Sequence, residues 1–305
     1  MRRFWIIAGV AAAVAVTSAA TGASAQVRPA GHGGAARALA RPSYTPAFGI
    51  NDQGVIVGTF SADGRPAEHG FVLRRGVFTT LTAPGSAGLT HALGINDAGD
   101  VVGDYADARG KMHGFVLRDG AYTSLNVPGR RDQTLASQIN TAGDIVGSYL
   151  DARGVSHGFV LHNGTYTALN DPLATGGTFG SGISNAGDIV GAFIRHGHRY
   201  GFLLREGVYT TLNVPGSTDT YAGGITAAGV IVGGYTDGAG HRHGYLLSQG
   251  RYRPFNEPNG VEGTRPHGIN ASGDIIGAYI DRSGIHGFLL HDGTYTTINA
   301  PDPAG

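Results

Sequence analysis

"KMHGFVLRDGAYTSLN" occupies residues 111–126, and 44 residues further on the chain reads "VSHGFVLHNGTYTALN". In each, two runs rich in β-branched and aromatic residues flank a two-residue turn, Asp119-Gly120 or Asn163-Gly164, of the kind that accepts the positive φ of a tight β-hairpin. Outward from this hairpin the same order recurs along the chain. "GIND" at Gly49 and at Gly94, "QINT" at Gln138, "GISN" at Gly182, "GITA" at Gly224 and "GINA" at Gly268 stand 42 to 45 residues apart, which makes six copies. Each copy holds an apolar stretch ending in Ile, a Gly turn, a "DIVGSY"-like run, a loop, "HGFVL", the hairpin turn and "YTSLN". It therefore reads as four short antiparallel strands, a to d, followed by a Pro or Pro-Gly link.

A period in the forties with four strands per unit predicts propeller blades, whereas β-helix repeats are shorter and lack the hairpin turns. The expected fold is all-β, a six-bladed β-propeller of four-stranded antiparallel blades over residues 44–305, with blades near 44–85, 86–129, 130–172, 173–216, 217–259 and 260–301. In this phase blades 1 and 6 meet without a shared strand, unless residues 30–43 supply one.

Residues 1–25 predict a signal peptide. Arg2 and Arg3 precede "WIIAGVAAAVAV", an apolar run too short and too Ala-rich to favour a membrane span, and "ASA" before Gln26 fits a small-residue cleavage site. Residues 26–43 follow as a flexible linker. The expectation is a secreted or periplasmic protein with no membrane insertion after cleavage. Without cysteine the chain has no disulfide, thiol catalyst or thiolate metal site. Charge balances at 22 basic and 22 acidic residues, or 20 against 22 without Arg2 and Arg3, which argues against a nucleic-acid partner. The 53 glycines recur at fixed offsets and mark turns.

The repeated "GIND", "VVG" and His113-Gly114-Phe115 resemble the extracellular repeat family known for a His-Ala-Phe (HAF) motif, with Gly here in place of Ala and Tyr200-Gly201-Phe202 in one copy. The resemblance covers nearly all of residues 44–301. It implies an exported repeat protein and carries over no catalytic residue.

His69, His113, His157, His243 and His286 share one slot, with Tyr200 in the sixth. Equivalent positions in different blades lie too far apart to meet on one ion, so the repeated imidazole reads as scaffold. Its expected partners across the b–c loop are Asp107, Asp151, Asp237 and Asp281. The Asn of "GIN", with Ser184 and Thr226 as counterparts, reads as a turn former. The aromatic columns of strands b, c and d take 18 of the 25 Phe and Tyr residues, so most aromatic surface is expected in packing. His196 with His198, and His241 with His243, set imidazole pairs two residues apart, and these are read as solvated loop residues; no metal and no cofactor is expected.

A ligand is not sixfold, so function belongs where the copies disagree. After an unvarying Thr (Thr45, Thr90, Thr134, Thr178, Thr220, Thr264) come Pro46, His91, Leu135, Phe179, Tyr221 and Arg265, six different residues. Strand a carries small residues such as Ala92, Gly94, Gly182 and Gly224, as a crowded axis requires, so this column is expected at the channel mouth. His91, Phe179, Tyr221 and Arg265, joined by Glu262 and His267, form the candidate ligand-binding set. Aromatic faces plus a cation suit a carbohydrate or a cell-surface partner. No Gly-x-Ser-x-Gly, His-Glu-x-x-His or phosphate loop is present, so a non-catalytic binding protein is the first expectation. The alternatives are a polysaccharide lyase or hydrolase, with Arg265 neutralising a uronate and Tyr221, His91 or His267 moving the proton, and a structural module with no ligand.

Overall fold

The computed structural model describes residues 43–61, 67–129 and 133–301. The expected signal peptide 1–25 and the linker up to residue 42 lie outside them. Every regular element among the described residues is a β-strand.

Each repeat copy folds as an antiparallel meander. In the second, strand a is Thr90–Ile95, b is Val101–Ala106, c is Met112–Arg118 and d is Ala121–Leu125, paired in that order. The hairpin read from the sequence is there: Asp119 and Gly120 take φ of 50° and 77°, and Asn163 and Gly164 take 46° and 76°. Three of the sheets hold four strands each, one holds five and one holds eight. The eight-stranded sheet is two meanders joined by a single parallel pair, Ser156 with Gly177. The start of strand c in one copy meets the start of strand a in the next in the same way at Glu68 with Leu89 and at Met112 with Gln133. Sequence reading did not foresee these parallel bridges, which knit the copies together at one face.

The fifth strand of the five-stranded sheet is Ser43–Thr45, paired in parallel with Gly284–His291. It repeats the bridge just described, with Tyr44 opposite Ile285. The last copy thus meets the first as each of the first three copies meets its successor, with no strand exchanged. Ser43, the last residue of the expected linker, already pairs in this sheet. Ala47, Ile50, Ile56 and Phe71 of the first copy pack with Ile276 and Ile298 of the last.

Packing explains the glycine of "VVG". In every copy the strand c aromatic (Phe71, Phe115, Phe159, Phe202, Tyr245, Phe288) is fully buried and lies against the strand b glycine. A Cβ at Gly103 would come within 3.0 Å of the Phe115 ring and overlap the His91 carbonyl oxygen, so a side chain there would force the strands apart. Tyr122 of strand d closes on Phe115 at 5.2 Å between centroids. Each such ring withdraws about 1.5–3 kcal/mol worth of apolar surface from water. Strand a is the inner strand: a Cβ on Gly49 would stand 2.9 Å from Gly94 Cα of the next copy, and one on Gly224 3.1 Å from Gly268 Cα.

At the a–b turns the "GIN" asparagines do two jobs. The Asn96 side-chain oxygen accepts the Asp100 amide at 2.9 Å, the turn-forming role expected of it. Its Nδ2 donates to the carbonyl of Asn140 in the next copy, as Asn51 does to Asn96 and Asn270 to Asn51. This inter-copy clasp was missed. Ser184 and Thr226 keep the acceptor role toward Asp188 and Val230 and are too short to repeat the donor role.

Candidate functional site

The repeated histidine is built into a latch. His113 Nδ1 is 2.8 Å from Asn126 Oδ1 at the end of strand d, and its Nε2 is 3.4 Å from Asp107 Oδ2 in the b–c loop. His157, His243 and His286 repeat the arrangement with Asn170 and Asp151, Asn256 and Asp237, Asn299 and Asp281. Each ring also stacks on the strand b tyrosine, as His113 does on Tyr105 at 5.3 Å. The aspartates, held by backbone amides of their own loop and by the latch imidazole, sit below the usual carboxylate range; for Asp237 the leading cause is the His241 amide. No group of three or more His, Cys, Asp or Glu fit to hold a metal ion occurs among the described residues.

The unvarying Thr is structural too. Thr90, Thr134, Thr178 and Thr264 accept the amide of the residue seven positions earlier, at 2.8–3.2 Å, pinning the incoming link to strand a. The next residue is thereby fixed against strand b, where it faces a second variable column, the residue after the "VVG" glycine. His91 is opposite Asp104, Leu135 opposite Ser148, Phe179 opposite Ala192, Tyr221 opposite Gly234 and Arg265 opposite Ala278. Large side chains meet small ones: a Cβ on Gly234 would lie 2.6 Å from the Tyr221 ring. A third variable column, the residue before His in "HGF" (before Tyr200 in the fourth copy), contributes Glu68, bridged to Leu89, with Arg199 beside Asp219 and Arg242 beside Gly263. Both columns were legible as breaks in the repeat, had strands b and c been compared as strand a was.

These columns form two kinds of site. On one side His91 is buried, with Nδ1 donating to Asp104 Oδ1 and Nε2 to Glu68 Oε2, both at 2.8 Å. Burial opposes charge on this ring, but the two carboxylates outweigh it and lift the pKa to about 10. Tyr44 lies near enough that burial, with Glu68 and Asp104, pushes its hydroxyl well above the usual phenol range.

On the other side a cavity of about 160 Å³ is bordered by Arg199, Asp219, Tyr221, Arg242, Thr264 and Arg265 among others. Tyr221 is pushed up to about 12 by burial, against the pull of Arg265, Arg199 and Arg242. Its hydroxyl donates to Pro266 O at 3.3 Å. Arg265 is 9% exposed and its Nη2 is buried without a hydrogen-bond partner among the described residues.

The structure thus brings Tyr221 and Arg265 onto one cavity and leaves the other candidates elsewhere. His91 is locked between acids, and Phe179 is half-buried opposite Ala192. Glu262 is solvent-exposed and does not border the cavity. His267 is the extra residue of a β-bulge on strand a, stacked on Phe48 at 4.8 Å, with Nδ1 donating to Ala47 O at 2.7 Å. Burial, helped by the Arg265 charge and opposed by that hydrogen bond, lowers it to about 4, and its Nε2 is buried without a partner. At the opposite end of the channel a smaller cavity of about 90 Å³ is ringed by the "GIN" turns, whose asparagines are engaged in the clasp.

No family model matches the chain, and no curated protein does. Solved structures do. The β-propeller domain of the Trilobed protease from Pyrococcus furiosus, described as having an open velcro topology, aligns over 87% of this chain and 98% of its own at 8% identity, with a TM-score of 0.55. A variant of the Aleuria aurantia lectin in complex with alpha-methyl-L-fucoside aligns over 87% and 97% at 12% identity, TM-score 0.55. A streptogramin B lyase aligns over 86% and 85% at 14% identity, TM-score 0.54. Identities this low speak for the fold alone, and the fold they share with this chain is the β-propeller.

Proposed function

We propose that this is an exported six-bladed propeller that binds a carbohydrate or a surface partner at the strand a mouth of its channel, without catalysing a reaction. Each repeat copy supplies one blade, the eight-stranded sheet counting as two, and the pairing of Tyr44 with Ile285 supports closure without a shared strand. Export rests on the Arg2-Arg3 start, the apolar run and the "ASA" boundary, and the repeat resembles the His-Ala-Phe family.

The observation that carries the binding reading is the cavity bordered by Tyr221 and Arg265, beside which a guanidinium nitrogen of Arg265 is buried without a hydrogen-bond partner among the described residues. Aromatic faces beside charge-assisted donors are what a sugar site needs. A lectin in complex with a fucoside among the structures of like fold is in keeping with it.

The lyase or hydrolase alternative finds poor proton carriers. His91 at about 10 stays protonated and Tyr221 at about 12 stays a phenol at neutral pH, so neither exchanges a proton readily there. His267 is unprotonated but does not border the cavity. A structural module without a ligand gives the Arg265 nitrogen no purpose. Glycan-array binding by the purified protein, lost on replacing Tyr221 and Arg265 together while the far-UV spectrum and melting curve persist, is the expected result. Binding that survives that double replacement refutes the proposal.

A further inference from the structure

The lining of the 160 Å³ cavity contains no aliphatic side chain; arginine, aspartate, tyrosine, threonine and histidine supply all of it. Arg199, Arg242 and Arg265 bring three guanidinium groups to its wall, against one carboxylate, Asp219, whose Oδ1 accepts the backbone amide of Arg199 at 2.8 Å. Two arginines elsewhere in the fold are ion-paired: Arg118 holds Asp100 at 2.8 Å, and Arg205 holds Asp188. In the cavity none of the three forms an ion pair among the described residues, and Arg265 keeps Nη2 buried with nothing to donate to. Burying a guanidinium beside two like charges is unfavourable, and burial is the leading reason that Arg265 falls below its ordinary basicity. What this arrangement lacks is an anion.

Resting on the carbohydrate-binding reading, we infer that this cavity is the subsite for the carboxylate of an acidic saccharide, a hexuronate unit of a longer chain. A carboxylate is planar and matches the guanidinium fork in paired hydrogen bonds. A volume of about 160 Å³ is an order of magnitude above the roughly 10–15 Å³ that one water needs, so the cavity has room for the ring that bears the carboxylate. Tyr221 offers that ring an aromatic face. The lining has no aliphatic side chain, so its apolar surface comes from the faces of Tyr221 and Tyr235, which suit the ring of a sugar.

Isothermal titration of the full chain against trigalacturonate and against neutral galactotriose tests this, with Arg242→Gln as the main variant, since Arg242 is only partly buried. Trigalacturonate is expected to bind at least tenfold more tightly than galactotriose. Loss of one charge-assisted contact in Arg242→Gln should raise its Kd by about 10- to 100-fold, and Arg265→Gln should do the same wherever circular dichroism shows it folded. Galactotriose binding equally well and indifferent to Arg242→Gln leaves the carbohydrate reading standing and overturns the carboxylate. A sulfated galactotriose that outcompetes trigalacturonate overturns it in favour of sulfate. If neither saccharide binds while a peptide with a free C-terminus does, the carbohydrate reading and this inference fall together.

Discussion

The two sides of the channel mouth are made from the same three columns of the repeat, and they end in opposite states. Around His91 both ring nitrogens find carboxylates, and Asp104 is 2% exposed. Around Arg265 the opposing strand b residue is Ala278, and the cavity beside it is lined by the further arginines Arg199 and Arg242 in place of paired acids. A buried charge completed from within the chain acts as frame, because nothing is left for a ligand to supply. A buried charge left incomplete loses stability in the free protein and recovers it when an anion arrives. The lesson is that variability in a repeat locates candidates, while hydrogen-bond satisfaction separates structural ones from binding ones.

The sharpest way to break this contrast is to remove one charge from each side. Asp104→Ala leaves an imidazolium with half its counter-charge, and removing one partner of a buried pair costs about 3–5 kcal/mol. Arg265→Met removes a charge that has no partner and fills its place with apolar surface, so stability in urea should hold or rise by about 1 kcal/mol. Two chemical denaturation curves decide the matter. The contrast fails if Arg265→Met is as damaging as Asp104→Ala.

A smaller effect comes from pH, with opposite signs in two histidines of the channel. His91, at about 10 when folded, lies above the roughly 6.5 of an unfolded imidazole, so its contribution is whole below about pH 6.5 and lost as pH climbs through 10. His267, at about 4, contributes fully above about pH 6.5, and that contribution is lost as pH falls toward 4. Melting temperature followed from pH 4 to 10 should therefore decline at both ends. His91→Gln is expected to flatten the alkaline decline and His267→Phe to soften the acid one. Part of the acid decline will remain in His267→Phe, because the depressed loop aspartates Asp107, Asp151, Asp237 and Asp281 also lose their contribution as they protonate. A profile unchanged by either substitution would show that these rings titrate alike in the folded and unfolded states.

Much of the fold was legible because local chemistry repeats. The Asp119-Gly120 turn, the glycine under Phe115 and the Asp107–His113 contact each involve residues close in sequence, and their spacing announces them. The partners that complete the picture are set by register between strands or between copies. Asn126 closes the latch from 13 residues beyond His113, Asn96 clasps Asn140 from 44 residues away, and Arg199 and Arg242 reach the Tyr221 cavity from strand c. Counting along one strand singles out Tyr221 and Arg265, which border one cavity, together with His91, whose acid partners sit on other strands. Glu262, on the link before strand a, is exposed and off the cavity wall.

The same sector that carries the arginines is also the one in which the clasp at the opposite end of the channel is broken, at Ser184 and Thr226. Asn140 Nδ2 still reaches Ser184 O, at a long 3.4 Å, but Ser184 has no amide to pass on to the Thr226 carbonyl. Ser184→Asn should restore it: the Asn oxygen can take over the turn bond now made by the serine hydroxyl to Asp188, and Nδ2 would reach the next copy as Asn96 does. One added hydrogen bond between partly buried backbone and side chain is worth about 0.5–1.5 kcal/mol, which for a protein of this length is a rise of a few degrees in Tm. Because the substitution adds a bond in the arginine-bearing sector away from the cavity, it also asks whether the cavity must move to take its ligand. If the cavity is preformed, the Kd for trigalacturonate should stay within twofold of the parent while Tm rises. A gain in stability accompanied by a large loss of affinity would mean that the arginine side works by moving, and that its difference from the His91 side is one of flexibility as well as charge.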